Sequence, residues 1–325
     1  MNIKHAPATV QSLGTTRTVT QRNSALQQNC PGPSNGLRFG TRNNRHQEQT
    51  LKIGTLNIIT MNNKIEECID ILIDIKLDIL GLSEVKRKGC GCEELRSGFH
   101  IYWSGGDNAK NGVAIIVNKT IKDLVTEVTD RIIKMNIKLH DEIISILQFY
   151  APQTGCPDSD KLDFETQLEN HLRGDKNIIM GDMNAQVGAD RTNQETVMGP
   201  WGYGNQNPEG ERLIDLCIRN EMLLGNTWFK KRDSHKITRY SWDGRLKTLI
   251  DYIIISDSMK KWLKDVKVIP SVSLQSDHRL LVGSFRIKKL RRMHNSGKED
   301  QIIQTQRRKS SRAVQSNNSK KYTNE

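Results

Sequence analysis

The sequence lacks the features that mark several common protein classes. Its six cysteines are scattered at positions 30, 68, 90, 92, 156 and 217, which is not the spacing of a disulfide framework. Cys90 and Cys92 are not followed by a second Cys/His pair at zinc spacing, so we expect a loop with reduced thiols there. No apolar stretch is long enough for a membrane span, and no signal-peptide region opens the chain. We therefore expect a soluble protein of a reducing compartment, with no membrane association.

Acidic residues are scarce at both ends of the chain. Residues 1–50 carry six Lys/Arg against one acid, and residues 286–325 carry twelve against three. The two ends together carry a charge of +14. Because the whole chain carries +12, residues 51–285 carry −2. Basic arms on a near-neutral body favour a polyanionic partner, most often nucleic acid, although two solvated ends explain the charge equally well.

Composition and pattern divide the chain into three parts. Residues 1–50 and 288–325 are polar and basic without apolar periodicity, and we expect both to be disordered arms around a domain at 51–287. The second arm contains KKLRR and RRKSSR, which favour a nuclear location, with the cytoplasm as the alternative. We expect a monomer.

Short apolar runs in the middle of the chain predict strands, and longer amphipathic segments predict helices. We predict strands at 51–57, 77–84, 112–117, 132–139, 143–150, 177–181, 249–256 and 278–285. We predict helices after an N-cap at Asn62, over 159–173 and over 209–221. Because several strands follow one another without a helix between them, the fold class is α/β with two mixed, partly antiparallel sheets.

Polar side chains capable of phosphodiester chemistry stand where these strands begin or end. They are Asn57, Glu84, Tyr150, Asp182, Asn184, Asp251, Asp277 and His278. Carboxylate and amide oxygens are ligands that Mg²⁺ accepts, a carboxylate can orient an imidazole, and a phenol or amide can donate to phosphate. Several of them also have an ordinary explanation: a turn residue for Asn57, a solvated acid for Glu84, an Asx-turn at 182–184, packing for Tyr150, and a surface or core position for His278. Together they favour a metal-dependent phosphodiesterase.

The order of these motifs resembles the endonuclease/exonuclease/phosphatase superfamily. Within it, the chain is most similar to the endonuclease domains of LINE-type retrotransposons and to the craniofacial development protein 2-like sequences derived from them. The segments that carry the resemblance are KIGTLNIITM, LDILGLSEVKRKGCG, GVAIIVNK, QFYAP, IIMGDMNAQVG, residues 197–215, LIDYIIIS and SDHRLLVGSF.

The resemblance implies a four-layered α/β sandwich, in which two mixed sheets pack face to face with helices outside. It also implies Mg²⁺ or Mn²⁺ dependence and phosphodiester hydrolysis. Metal ligands would be Asn57, Glu84 and Asp277, with Asp277 close to the metal or the histidine. Catalytic residues would be Tyr150 and Asn184 on the phosphate, Asp182 on the attacking water, and Asp251 positioning His278. Substrate-binding residues would be Asn226 and Trp242, the latter in a loop that touches DNA in relatives, although packing explains Trp242 equally well.

Tyr150 points to one branch of that superfamily. The branch of AP endonucleases and retrotransposon nucleases resembles this chain in having tyrosine there, so the implied substrate is DNA. Two segments depart from the pattern: Ile59 replaces an acid or arginine, and Leu246–Leu249 replaces a more usual Lys-Asn-Gln-Ile. The leading interpretation is a DNA-nicking endonuclease; the alternative is a catalytically idle nucleic-acid-binding or interaction protein. Tyr150 and the basic arms disfavour a lipid or small-molecule phosphodiesterase.

Overall fold

The computed structural model describes residues 48–107, 109–118, 121, 124–139, 142–172 and 174–288. The prediction of disordered arms lies outside these residues except at two edges. Glu48–Thr50 and Lys288 belong to strands, so the domain extends slightly beyond the predicted 51–287.

The described part of the chain forms three helices and seventeen strands. In chain order they are β1 Glu48–Asn57, α1 Ile65–Ile75, β2 Ile79–Ser83, β3 Cys90–Glu94, β4 Phe99–Ser104, β5 Val113–Asn118, β6 Leu124–Val128, β7 Ile132–Leu139, β8 Glu142–Tyr150, α2 Asp158–His171, β9 Asn177–Asp182, β10 Val187–Gly188, β11 Tyr203–Gln206, α3 Pro208–Arg219, β12 Met222–Leu224, β13 Arg239–Tyr240, β14 Lys247–Thr248, β15 Asp251–Ser256, β16 Leu263–Ile269 and β17 Leu280–Lys288. None of the three helices combines the length and apolar character that crossing a membrane requires.

Most of the strands belong to two large sheets. The first sheet has seven strands in the order β16-β17-β1-β2-β5-β4-β3, and the second has six in the order β12-β15-β9-β8-β7-β6. Each sheet contains one parallel pair, β1 with β2 and β8 with β9, among antiparallel neighbours. Both sheets are therefore mixed, as predicted.

Alternating apolar side chains give each sheet two buried faces. Ile115 of β5 and Ile253 of β15 belong to one core between the sheets, whereas their neighbours Ile116 and Ile254 belong to two separate outer cores. Helix α1 contributes Cys68 and Leu72 to the outer core of the first sheet, and α2 and α3 contribute Phe164 and Leu213 to that of the second. The order helix, sheet, sheet, helix confirms the predicted four-layered sandwich.

Two local predictions were wrong. Helix α1 begins at Ile65 after Lys64, which makes no side-chain cap, so Asn62 is not the N-cap. Cys90 and Cys92 lie in the edge strand β3, where they are exposed free thiols, and not in a loop.

The strand directions bring six strand termini to one end of the sandwich. Parallel pairing places the end of β1 beside that of β2, and the end of β8 beside that of β9. The antiparallel partners β17 and β15 begin at this same end, with Asp251 opposite Asp182. The residues just beyond these termini therefore meet across the two sheets.

Candidate active site

The structure brings the predicted polar residues together at this end of the sandwich. The first sheet supplies Asn57 and Glu84 from β1 and β2, and Asp277 and His278 just before β17. The second sheet supplies Tyr150, Asp182 and Asp251, which are aligned across β8, β9 and β15. The site is thus divided between the two sheets.

Asn57 joins the two halves of the site. Its Nδ2 donates to Glu84 Oε1 at 2.9 Å and to Asp182 Oδ2 at 3.0 Å, while its Oδ1 accepts from the Ile59 backbone N–H at 3.0 Å. The amide nitrogen, and not the oxygen, faces the carboxylates. The structure therefore shows Asn57 as a bridge between two acids, and its predicted contact with metal stays a prediction.

His278 lies among three carboxylates. Its Nδ1 is 2.8 Å from Asp251 Oδ2, and its Nε2 is 3.8 Å from Asp182 Oδ2 and 3.9 Å from Asp277 Oδ1. Burial disfavours the charged ring, but the negative charges of Asp251, Asp182 and Asp277 outweigh it and raise the histidine pKa above its usual range. The imidazole is therefore oriented by Asp251 and favoured in its cationic form.

Asp182 is fully buried at the end of β9. Burial raises the pKa of its carboxyl, and the charge of Asp251 raises it further, against the opposing effects of His278 and of hydrogen bonds from Asn57 and Asn184. The preceding Gly181 has φ of +148°, and a Cβ there would lie 2.1 Å from the Phe149 carbonyl oxygen. Only glycine fits this close approach of β9 to β8.

Tyr150 faces Glu84 and Asp182 across the site. Burial raises the pKa of its phenol well above the usual value, and the two carboxylates add to the effect. Gln153 donates to the hydroxyl oxygen at 3.1 Å. The phenol therefore stays protonated near neutral pH and is available as a donor.

Asn184 and Asn226 are both held by the backbone. Asn184 donates from Nδ2 to the Ala151 carbonyl at 3.0 Å, and its own N–H donates to Asp182 at 2.9 Å. The amide of Asn226 donates to the Asp251 carbonyl and accepts from the Ile253 N–H, each at 3.0 Å. Asn226 therefore holds the start of β15 in place, and its predicted contact with substrate stays a prediction.

Arg239 is a site residue that the sequence did not reveal. Its Nε donates to Asp277 Oδ2 at 2.7 Å, and its backbone pairs with His278. A lone arginine between Thr238 and Tyr240 carries no local signal, because only the fold brings β13 beside the Asp277–His278 segment. The ion pair partly neutralises a carboxylate that was predicted to hold metal.

Trp242 lies apart from the polar cluster. It occupies the turn between β13 and β14, and 75% of its surface is exposed, as is 67% of Leu246 in the same turn. This exposure excludes the packing role considered for Trp242 from the sequence. Its contact with DNA stays a prediction.

A basic pocket opens beside Glu84 and Tyr150. It has a volume of about 240 Å³, and its charged lining includes Lys86, Lys110 and Arg131 besides Glu84. Lys86 Nζ lies 3.2 Å from Glu84 Oε2, and the Arg131 guanidinium lies 5.4 Å from the centre of the Tyr150 ring. Three cations therefore border the acidic site on this side.

The donor set fits a divalent cation. The four carboxylates of Glu84, Asp182, Asp251 and Asp277 outnumber the cationic groups paired with them, which are Lys86, Arg239 and the His278 ring. Ligand atoms of Asp182, Asp251 and His278 lie within 4.8 Å of one another, a group that shares no residue with the predicted metal ligands Asn57, Glu84 and Asp277. Among the described residues, Asp251 Oδ1 is buried without a hydrogen-bond partner. Oxygen-rich, negatively charged sites of this kind suit a hard cation.

Comparisons with known proteins agree with this architecture. The chain is 34% identical over 246 residues to craniofacial development protein 2 of Tragulus javanicus, which covers 73% of this chain and 42% of that protein. The chain thus spans about two fifths of the length of this curated relative.

Solved structures show the same fold. The endonuclease domain of TRAS1, a telomere-specific non-LTR retrotransposon, has a TM-score of 0.54 at 15% identity and covers 74% of this chain and all of that one. An AP endonuclease from Archaeoglobus fulgidus has a TM-score of 0.54 at 20% identity and covers 72% of this chain and 99% of that one.

A family model also matches residues 54–278, which span the site from β1 to His278. The match, the two-sheet sandwich and the polar cluster at its end lead to one assignment: the chain belongs to the endonuclease/exonuclease/phosphatase family.

Proposed function

We propose that the chain is a metal-dependent endonuclease that hydrolyses one strand of DNA. The observation that carries the proposal is the His278–Asp251 pair at 2.8 Å, with the buried Asp182 carboxylate 3.8 Å from the same ring. A cationic ring and a carboxylate beside one phosphate can stabilise developing negative charge and accept a proton from water.

In this proposal each half of the site has a task. His278, held by Asp251, donates a hydrogen bond to a phosphate oxygen. Asp182 orients the attacking water and accepts its proton. Tyr150 and Asn184 donate to the remaining phosphate oxygens, which fixes the scissile bond in line with the water.

Glu84 and Asp277 would hold a Mg²⁺ or Mn²⁺ ion, with Asn57 beside them. The ion supplies charge neutralisation for the phosphate and the leaving oxygen when it is bound. Arg239 and Lys86, which pair with these two carboxylates, limit their repulsion.

Three features support DNA as the substrate. The cations of the pocket at Lys86, Lys110 and Arg131 adjoin the site, as backbone phosphates require. The exposed Trp242 stands on a turn whose base pairs with the Asp277–His278 segment. The basic ends of the chain add sequence-independent attraction.

The motif order and the fold shared with the TRAS1 domain also support descent from a retrotransposon endonuclease. Tyr150 agrees with this origin, because the branch of AP endonucleases and retrotransposon nucleases resembles the chain in having tyrosine at that place.

The proposal is tested on supercoiled plasmid with Mg²⁺. We expect the parent protein to convert supercoiled DNA to nicked circles, and EDTA to abolish the conversion. Asp182→Ala and His278→Ala should each lower the rate by roughly 100- to 10,000-fold, the usual effect of removing a proton-transfer group. Asp257→Ala, which changes an exposed acid far from the site, is the matched control.

The alternative, an idle nucleic-acid-binding protein, predicts a different result in the same assay. Retention of DNA in a salt-sensitive manner, with no nicking by the parent, would support the idle nucleic-acid-binding protein instead. Nicking that survives in both site variants would point to a contaminating nuclease.

A further inference from the structure

A polar side chain of β8 lies within the apolar layer between the two sheets. Gln148 lies in β8 within the run Ile143–Tyr150, and none of its surface is exposed. Because residues two apart on a strand point to the same face, Gln148 faces the first sheet directly beneath Tyr150.

Gln148 makes hydrogen bonds across the gap to two of the strands that carry the first sheet's half of the site. Its Oε1 accepts from the Thr55 hydroxyl of β1 at 3.1 Å, and its Nε2 donates to Ser83 Oγ of β2 at 2.9 Å. Ser83 Oγ in turn donates to the Phe149 carbonyl of β8 at 3.0 Å. All three side chains are fully buried.

A glycine opposite makes this crossing possible. A Cβ on Gly81 of β2 would lie 1.9 Å from Gln148 Oε1 and 2.6 Å from its Cδ. The Gln148 amide therefore occupies the space that any other residue at 81 would fill, and the two positions are sterically matched.

The three residues of this network lie next to predicted site residues along the chain. Thr55 precedes Asn57 by two residues, Ser83 precedes Glu84 by one, and Gln148 precedes Tyr150 by two. Apolar contacts have little directional preference, whereas hydrogen bonds fix both distance and angle. The network thus lies where a small shift of one sheet along the other would separate Asn57 and Glu84 from Tyr150 and Asp182.

We propose that Gln148 is a positioning residue that sets the spacing and alignment of the two sheets beneath the site. It acts through Thr55 and Ser83 and does not touch the substrate. The activity test of this role depends on the proposed hydrolysis of DNA, whereas the metal-binding test described below needs only the proposed cation site.

The competing interpretation is that the network contributes to stability alone. Three variants separate the two. Gln148→Leu removes the amide, so the Thr55 hydroxyl loses its acceptor and Ser83 Oγ keeps only its bond to the Phe149 carbonyl. The triple change Thr55→Val, Ser83→Ala and Gln148→Leu removes both hydroxyls as well, which restores an apolar layer. Gly81→Ala displaces the amide without deleting any hydrogen-bonding group. Ile146→Val, two residues earlier on β8 and equally buried, is the control for lost packing.

For Gln148→Leu and Gly81→Ala, we expect kcat for plasmid nicking to fall about 100-fold, as for misplaced catalytic groups, with KM for DNA unchanged. Mn²⁺ affinity, measured by electron paramagnetic resonance on the full-length proteins, should fall about tenfold, as when groups that support metal ligands are lost. The triple variant should regain thermal stability but not kcat or Mn²⁺ affinity. Ile146→Val should lose some stability and keep both.

Recovery of kcat and Mn²⁺ affinity in the triple variant together with its stability would overturn the proposal, and so would parent-like values in Gln148→Leu. If the parent does not nick DNA at all, the proposed function fails, and the Mn²⁺ affinities alone decide the role of Gln148.

Discussion

At the scale of single residues, Asp251 makes the closest contact with His278 among the three carboxylates around the ring. Asp251 offers one oxygen to the ring at 2.8 Å, and its other oxygen is buried without a partner among the described residues. The main contact of the Asp251 side chain is therefore with the histidine, and its negative charge favours the cationic form of the ring. Removing this one charge should therefore affect catalysis more than folding.

Asp251→Asn should lower kcat for plasmid nicking by roughly 100- to 10,000-fold, because the ring loses the charge that holds it protonated and oriented. Rates at saturating DNA measure the effect, and circular dichroism checks the fold. Asp257→Asn, an exposed acid outside the site, should behave like the parent. A parent-like rate in Asp251→Asn would remove this pair from the mechanism.

Tyr150→Phe should lower kcat by about 100-fold, the usual cost of losing one donor to a charged oxygen in an active site. The raised pKa of Tyr150 keeps its phenol protonated, so the loss should be similar at pH 7 and pH 8.5. Tyr102→Phe on β4 is the control, a half-buried tyrosine away from the site. An undiminished rate in Tyr150→Phe would assign the residue to packing.

The sequence predicted the residues of the site better than their contacts. Asp182, Asp251 and His278 follow or begin apolar runs, and parallel or antiparallel pairing must bring such positions together. The orientation of Asn57, the backbone role of Asn226 and the ion pair of Arg239 depend on partners far away in the chain. Gln148 did leave a signal, since it is a polar residue at an inward position of a buried strand.

At the scale of elements, the β13–β14 hairpin links the site to a surface. Its first strand is hydrogen-bonded to the Asp277–His278 segment, since the Tyr240 N–H donates to the Asp277 carbonyl at 2.8 Å. Its turn carries Trp242, Arg245 and Leu246, all exposed. In the proposed nuclease, the hairpin would contact DNA beside the scissile phosphate without contributing to the chemistry.

Trp242→Ala should raise KM for DNA and leave kcat unchanged. An aromatic side chain that stacks on a base contributes roughly 1–3 kcal/mol, which corresponds to an increase in KM of roughly 5- to 150-fold. Leu162→Ala, another exposed apolar residue but on α2, is the control. A KM equal to that of the parent would show that the turn does not touch the substrate.

Long apolar runs were predictable, whereas most short strands, the edge strands and the inner strand β4 were not. The inner strands β2, β5, β8, β9 and β15 are buried on both faces, so they appear in the sequence as continuous apolar runs. Edge strand β3 is CGCEE, which carries no strand pattern because its side chains are mostly exposed. The strands β10, β11, β13 and β14 have two to four residues, too few for periodicity to emerge.

At the scale of the whole molecule, charge is distributed unequally. The net −2 of residues 51–285 includes the acids of the site, while the two ends contribute +14. The site carboxylates repel one another without a cation, and the ends attract a polyanion. Both effects can be measured on the intact protein.

Saturating Mg²⁺ should raise the melting temperature by roughly 5–10 °C. A ligand present at 100 times its Kd stabilises the folded state by about 2.7 kcal/mol, and each kcal/mol shifts Tm by about 2–4 °C in a domain of this size. Differential scanning calorimetry with Mg²⁺ and with EDTA measures the shift. Glu84→Gln should reduce it, and an equal shift in that variant would place the ion elsewhere.

Replacing the ten Lys/Arg of residues 289–325 by Gln should weaken DNA binding and flatten its salt dependence. The logarithm of the affinity falls by about 0.9 per neutralised phosphate for each decade of salt, so fewer contacts give a smaller slope. Binding titrations from 50 to 200 mM salt measure it. An unchanged slope would show that these charges do not meet DNA.

The pairing of β1 with β17 places the first and last residues of the described domain side by side. Glu48 is paired with Lys288 at the end of the first sheet opposite Asn57. Ten residues of strand separate that end from the chemistry, a distance of roughly 30 Å at about 3.3 Å per residue. Polypeptide that continues from Glu48 or Lys288 is therefore attached at the end of the first sheet opposite the site. Because these two attachment points are adjacent, the domain could be transplanted into another protein as a single insertion.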